Sequence, residues 1–277
     1  MTNNDSQYVV STKSFTSVAV NTAAKAGEWI QSRSGQISQL QYKSSPRDLV
    51  TEVDKGAETM IRNLIQTHFP DHKILGEEGM HGHVEEAEDS DYLWIVDPID
   101  GTTNFIHGFP YYSVSIALAY RGELIVGVVY DPSHDELFVA EKGKGAYLKG
   151  KRLSVSAEKK LADSLLASGF SAHEEIVRQN LAGVSAIVGK ARNIRISGSA
   201  ALHLAYVAAG RLSGYWQLGL KPWDYAAGAL LVQEAGGKVT DAKGREFHLS
   251  ASSILATNGS IHDELHRELE KAGGNGL

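Results

Sequence analysis

The stretch that most constrains this chain is Leu93-Trp94-Ile95-Val96, four apolar residues that run straight into Asp97-Pro98-Ile99-Asp100-Gly101-Thr102-Thr103. A short apolar run of this kind reads as a buried strand. The acids therefore stand at the end of a sheet strand. Proline has no N–H and a fixed φ, so Pro98 is expected to turn the chain sharply off the strand. Two carboxylates three residues apart then point into one cleft, with the Ile99 carbonyl free to join them. Donor sets made only of oxygen select hard divalent cations such as Mg²⁺ or Mn²⁺. Gly101 lets backbone N–H groups come close to an anion, and a helix starting there would add its positive end.

The surrounding pattern places this motif in a mixed fold. Val18, Thr22, Ala26, Trp29 and Ile30 recur at helical spacing and predict a helix over residues 14–33 that Gly35 stops. Residues 37–43 read as a strand. Residues 52–69 read as a helix with Ala57, Met60, Ile61, Leu64 and Ile65 on one stripe, ended by Pro70. Residues 111–120, 123–131 and 136–140 are β-rich with turns between them, an antiparallel meander, followed by a short strand at 146–148. From residue 162 strands and helices alternate. Strands are expected at 164–170, 193–196, 213–218 and 254–257, and helices at 173–188, 199–209, 225–235 and 260–272. Alternation implies a mainly parallel, helix-covered sheet. The chain thus reads as α+β, in two subdomains: residues 1–150 with the acidic motif, and residues 151–277 with an α/β pattern.

Four more acids sit where a metal site would want them. Asp54 lies at a helix start, Glu77 and Glu78 follow a short strand and Gly76, and Asp224 falls at the N-cap of a helix. Each has an ordinary reading too. Asp224 and Asp54 can be helix caps, and Glu77-Glu78 can be a solvated loop. What sets them apart is clustering at strand and helix ends, where α/β folds build their sites. Metal ligands beside a phosphate cradle are what metal-assisted phosphoryl transfer needs.

Composition narrows the partners. The net charge of −6 gives no general attraction to nucleic acid or anionic membranes. With no cysteine, disulfides, iron–sulfur clusters and thiolate zinc sites are excluded, which fits a reducing cytoplasm. The first residues lack the basic start and apolar run of a secretory signal. No apolar stretch approaches the roughly 20 residues of a membrane helix. A small phosphorylated molecule is the expected partner.

Four stretches carry a family resemblance: SPRDLVTEVD at 45–54, GEEG at 76–79, WIVDPIDGTTNF at 94–105 and WDYAAGALLVQEAGG at 223–237. With GFPYYSVSIALA and GVVYDP in support, the chain resembles the inositol monophosphatase family from about residue 15 to 270. The resemblance implies a layered α-β-α-β-α sandwich, a homodimer, and two to three Mg²⁺ ions per site, with Mn²⁺ a possible substitute. It implies that Glu77, Asp97 and the Ile99 carbonyl bind the first ion, that Asp97, Asp100 and Asp224 bind the second, and that Glu77 reaches a third through water. Gly101 and Thr102 amides would hold the phosphate, Thr102 and Asp54 would orient the attacking water, and Glu78 would be an auxiliary acid. The implied reaction is direct in-line hydrolysis of inositol monophosphate.

The match departs at one point. Where animal members carry a glutamate that bonds the inositol hydroxyls, seven residues before the last acid, this chain has Gln217, which keeps hydrogen bonding but not charge. Gly198, Ser199 and Ala200 do match the family's substrate wall. Gln217 leaves room for other substrates of the fold, the 2′-phosphate of NADP(H) or fructose 1,6-bisphosphate. A non-catalytic phosphate sensor is the reading from another class, and the presence of every acid speaks against it. Among the remaining features, His81 and His83 and the acidic run from Glu85 to Asp91 read as a solvated loop. Trp94 and Trp223 read as packing. Lys43 lies where the family has a lysine near the third metal, and Arg192 and Arg195 could meet a second phosphate or be a solvated edge.

Overall fold

The computed structural model describes residues 14–37, 39–43, 45–79 and 91–276. His81, His83 and the acidic run short of Asp91 lie outside the described residues. The chain opens with helix α1 (Phe15–Gln31), a hairpin of β1 (Leu40–Tyr42) and β2 (Leu49–Thr51), and helix α2 (Glu52–His68). A seven-stranded sheet follows, in the order β3 (Lys73–Gly76), β4 (Tyr92–Asp100), β5 (Ser113–Tyr120), β6 (Glu123–Asp131), β7 (Glu136–Glu141), β8 (Gly145–Leu148) and β9 (Lys151–Arg152). A short helix α3 (Thr102–Ile106) joins β4 to β5. The β3–β4 pair is parallel and every other pair in this sheet is antiparallel. The expected meander is therefore present.

The second sheet has five strands: β10 (Leu165–Ser168), β11 (Asn193–Arg195), β12 (Gly214–Leu218), β13 (Lys238–Thr240) and β14 (Ser253–Thr257), in the spatial order β11-β10-β12-β14-β13. Between them come helices α4 (Glu174–Ile187), α5 (Ala200–Ala208) and α6 (Pro222–Glu234), and α7 (His262–Lys271) closes the chain. The alternation implied a mainly parallel sheet. That holds for β10 with β11 and with β12, whereas β14 pairs antiparallel with both β12 and β13. The reason is a strand hidden from periodicity: β13 is three residues long and follows α6 through Gly236-Gly237, and the connection from β13 to β14 carries no helix.

Side-chain alternation along the strands builds three separate interlayer cores. Trp94 and Val96 of β4 face α1 and α2, where they meet Ala23, Ile30, Ile61 and Ile65. Leu93 and Ile95, one residue out of phase, face α5 and α6 and meet Leu204, Ala227 and Leu231. In the second sheet Tyr215 and Ile254 join that same central core, while Trp216 and Leu255 point the other way, to Leu265 and Leu269 of α7. The order is thus helices, sheet, helices, sheet, helices: the α-β-α-β-α sandwich. α5 and α6 lie between the sheets and are buried almost all round, as a helix covered on opposite faces must be. No helix among the described residues is long and apolar enough to cross a membrane.

Candidate active site

Strand β4 delivers the first two acids. Asp97 pairs with Ser115 of β5 and Asp100 with Ser113, and the register shifts between them. Pro98 does not end the strand, as its sequence position led us to expect. It sits in this irregularity, where the lost N–H costs nothing, and the strand runs on to Asp100. The backbone N–H of Ile99 donates to Asp97 Oδ1 at 3.0 Å. Gly101 follows with φ +103°, a conformation that glycine adopts without strain. A Cβ there would meet the carbonyl oxygens of Tyr111 at 3.1 Å and Gly198 at 3.2 Å, so the position has neither the dihedral nor the space for another residue.

Helix N-termini hold Asp54, Asp224 and Asp100. Asp54 closes a capping box on α2: its Oδ2 accepts from the Thr51 amide at 2.8 Å and the Thr51 hydroxyl at 2.5 Å. Asp224 occupies the equivalent third position of α6, not the N-cap, and its Oδ2 accepts from the Lys221 amide at 2.7 Å. Asp100 is aimed at the start of α5, accepting from the Ser199 hydroxyl and from the amides of Ala200 at 3.2 Å and Ala201 at 2.7 Å. The positive end of a helix favours a carboxylate, so the fold uses dipoles to assemble charges that would otherwise repel.

The result is a tight acidic cluster. One carboxylate oxygen from each of Asp97, Asp100 and Asp224 lies within 4.8 Å of the others. Burial, and then the charges of Glu77, Asp100 and Asp224, push the Asp97 carboxyl well above the usual range. Asp224 is raised in the same way by burial and by Glu77 and Asp100. Burial raises Asp100 to about 6, against the pull of its Ser199, Ala201 and Ala200 donors. Three mutually repelling oxygen donors, two buried and that of Asp224 half-buried, are a set that a hard divalent cation satisfies. Glu77 stands beside them and is raised by burial, which the Lys43 ammonium opposes.

Thr102, at the first turn of α3, brings a hydroxyl to this floor. Its Oγ1 lies 2.9 Å from Asp54 Oδ1 and 3.0 Å from the Ile99 carbonyl, so one hydrogen is offered to two acceptors. An open cleft of about 460 Å³ rises from the floor. Glu77, Asp97, Ile99, Asp100, Gly101, Thr102, Gly198, Ala200, Gln217 and Asp224 all line it. Ser199 does not: it is buried beneath, 1 % exposed, with its hydroxyl given to Asp100. Gln217 is also engaged, its Oε1 accepting from the Tyr215 hydroxyl at 2.7 Å. Arg192 is an exposed partner of Asp163, and neither it nor Arg195 lines the cleft.

Two organising residues escaped the sequence reading. Glu58, on α2, is 2 % exposed and accepts from the Glu78 amide at 2.6 Å and from Arg62 Nε at 2.8 Å, which shapes the turn carrying Glu77. The available signal was the pair Gly76 and Gly79: a Cβ on either would stand 2.6 Å from the Glu58 carboxylate. Asn104 ties the two sides of the cleft, its Nδ2 donating to the carbonyls of Tyr111 at 2.6 Å and Ser197 at 2.7 Å. Lys43, which the resemblance singled out, is engaged beside them: its ammonium bridges Glu77 at 2.7 Å and Glu78. Burial would lower its pKa, but the two carboxylates raise it.

Comparison with known proteins agrees with this geometry. Residues 11–273 match the model of the inositol monophosphatase family. The Nus factor SuhB of Pseudomonas aeruginosa is 45 % identical over 87 % of this chain and 90 % of that protein. Inositol monophosphatase 2 of Solanum lycopersicum is 43 % identical over 93 % of this chain and 98 % of its own. Among solved structures, the extragenic suppressor protein SuhB of Bartonella henselae superposes with a TM-score of 0.85 at 42 % identity, covering 92 % of this chain and 97 % of that one. The inositol monophosphatase of Thermotoga maritima gives 0.84 at 37 % identity over 92 % and 96 %. The fold and its acidic cleft are those of a phosphatase. The chain belongs to the inositol monophosphatase family.

Proposed function

We propose that this protein hydrolyses small phosphate monoesters with the help of Mg²⁺, foremost inositol monophosphate to inositol and phosphate. One observation carries the reading: the Asp97, Asp100 and Asp224 oxygens within 4.8 Å of one another, on the floor that also carries Thr102, whose hydroxyl is bonded to buried Asp54. Glu77, Asp97 and the Ile99 carbonyl would hold one ion, and Asp97, Asp100 and Asp224 a second. Glu77 would serve a third through water, and Mn²⁺ would substitute. When bound, the ions supply a water of lowered pKa and charge to offset the phosphoryl oxygens. The chain's own groups do the rest. The Gly101 and Thr102 amides hold the phosphate at the start of α3. Asp54 and Thr102 orient the attacking water. That water's oxygen bonds to phosphorus, the ester P–O bond breaks, and the proton ends on the leaving alcohol. Gly198, Ala200 and Gln217 form the wall that the alcohol meets, with Ser199 supporting it from below.

Gln217 supports a second reading in which the substrate is NADP(H), at its 2′-phosphate, or fructose 1,6-bisphosphate, since an uncharged wall loses the grip on a polyol that a carboxylate gives. A non-catalytic phosphate sensor would not need to keep Asp54, Glu77, Asp97, Asp100, Thr102 and Asp224 together. We also propose a cytoplasmic homodimer, in keeping with the cysteine-free sequence, with 1–150 and 151–277 as its subdomains. The test is phosphate release from inositol 1-phosphate, NADP, fructose 1,6-bisphosphate and adenosine 3′,5′-bisphosphate, with and without Mg²⁺. Release from at least one, lost in a chelator, is the expected result. Tight binding with release from none would establish the sensor instead.

A further inference from the structure

The mouth of the cleft differs in kind from its floor. Of the seven large hydrophobic side chains exposed among the described residues, three stand on this one rim: Phe109 at 52 %, Phe170 at 41 % and Ile196 at 45 %. They come from three separate loops, after α3, after β10 and after β11. Lone exposed apolar residues are ordinary, but a group converging on a cleft marks a binding surface. Arg47 joins them, and it is the only lysine or arginine among the described residues that line the cleft. Its guanidinium makes no ion pair among the described residues, although acids surround the site. Lys43, four residues earlier, is held by Glu77 and Glu78, and Asp48, next to Arg47, has a bonding partner of its own. A planar cation and two phenyl rings lining one cleft suit a ligand that is anionic at one end and flat and apolar in between.

We propose that this rim is a second subsite, in which Arg47 holds an anionic group carried by the leaving alcohol while Phe170 and Phe109 hold its ring. The inference rests on the phosphatase reading and deepens it. The favoured substrates are phosphomonoesters of ring-bearing alcohols that carry a second anion, the class to which nucleotides with two separate phosphates belong. The floor takes the phosphate that is cleaved, and the rim takes the one that stays.

Three probes separate these contributions: glycerol 2-phosphate with neither ring nor second anion, adenosine 2′-monophosphate with the ring alone, and adenosine 2′,5′-bisphosphate with both. Initial rates with Mg²⁺ give kcat/KM for each, and calorimetry gives Kd for the two nucleotides. In the natural protein the bisphosphate should exceed the monophosphate by about tenfold, as one charge-assisted contact at an exposed site allows. In Arg47→Ala that ratio should fall to about one in both kcat/KM and Kd, and Arg47→Lys should recover part of it. Phe170→Ala should lower both nucleotides relative to glycerol 2-phosphate by about fivefold, the loss of one stacked ring. A bisphosphate-to-monophosphate Kd ratio that Arg47→Ala leaves unchanged overturns the subsite whatever the activity. No release from any probe, with the Kd ratio still dependent on Arg47, overturns the phosphatase reading and leaves the anion subsite standing.

Discussion

The floor and the mouth of the cleft are built on opposite plans. On the floor the acids are held by main-chain amides at helix ends and by buried hydroxyls, and Asp97 and Asp100 are both buried. At the mouth, Arg47, Phe109, Phe170 and Ile196 are exposed. A group fixed by backbone geometry cannot be moved by changing its neighbours' side chains. A group on a loop can be exchanged freely. The floor therefore sets what is done to a phosphate ester, and the mouth sets which alcohol carries it.

The sharpest way to break this division is Asp97→Asn. It removes one charge from the centre of the floor and keeps the shape. Phosphate release at saturating Mg²⁺ should fall by at least about 10³-fold, and by the same factor for every substrate, as befits loss of a group that serves the reacting centre itself. Activity within tenfold of the natural protein, or a loss confined to one substrate, would show that the floor does not act as a unit.

A smaller effect should appear beneath the floor without touching turnover. His203 on α5 is 1 % exposed and lies between the rings of Tyr111 and Tyr215. Burial lowers its pKa to about 3, so it is neutral in the folded protein. In the unfolded chain it takes up a proton below about pH 6.5. Unfolding then binds a proton, and stability falls as pH drops from 6.5 toward 3, by at most about 1.4 kcal/mol per pH unit. His203→Phe should flatten the slope of Tm against pH over that window and leave kcat at pH 7.5 within twofold. An unchanged slope would place the acid sensitivity elsewhere, with buried His262 next to be tested, since burial lowers it to about 4.

The smallest effect expected is on the wall. Gln217→Glu keeps the acceptor for the Tyr215 hydroxyl and restores a charge, so kcat/KM for inositol 1-phosphate should rise a few-fold relative to adenosine 2′-monophosphate. Equal change for both substrates would show that Gln217 does not choose between alcohols.

How much of this could be seen in the sequence follows the same division. The acidic motif, the two helix starts carrying Asp54 and Asp224 and the meander were legible because each is local: an apolar run, a proline, a cap, a period of two. Asp224 lies three positions further into its helix than expected because Pro222 opens α6, and proline is well suited to a first helical position. What was not legible is what depends on packing at a distance. Glu58 reads as an ordinary polar residue beside the Ala57–Ile61 stripe, and its burial follows from two glycines on another element. Arg47 stands inside the stretch at 45–54 without any local mark of its own, and only the fold carries it to the mouth.

The hydrogen bonds on Asp100 have a consequence for how the chain assembles. Its donors at Ser199, Ala200 and Ala201 lie 99, 100 and 101 residues further along. The first sheet can be complete while that carboxylate still lacks every one of them. Closing so long a loop is slow and is repaid only when the second half docks. Asp100 therefore gains these three donors only when the two halves meet, whereas the bond from the Ile99 amide to Asp97 is local. In this protein the acidic floor is complete only once both halves of the chain have come together.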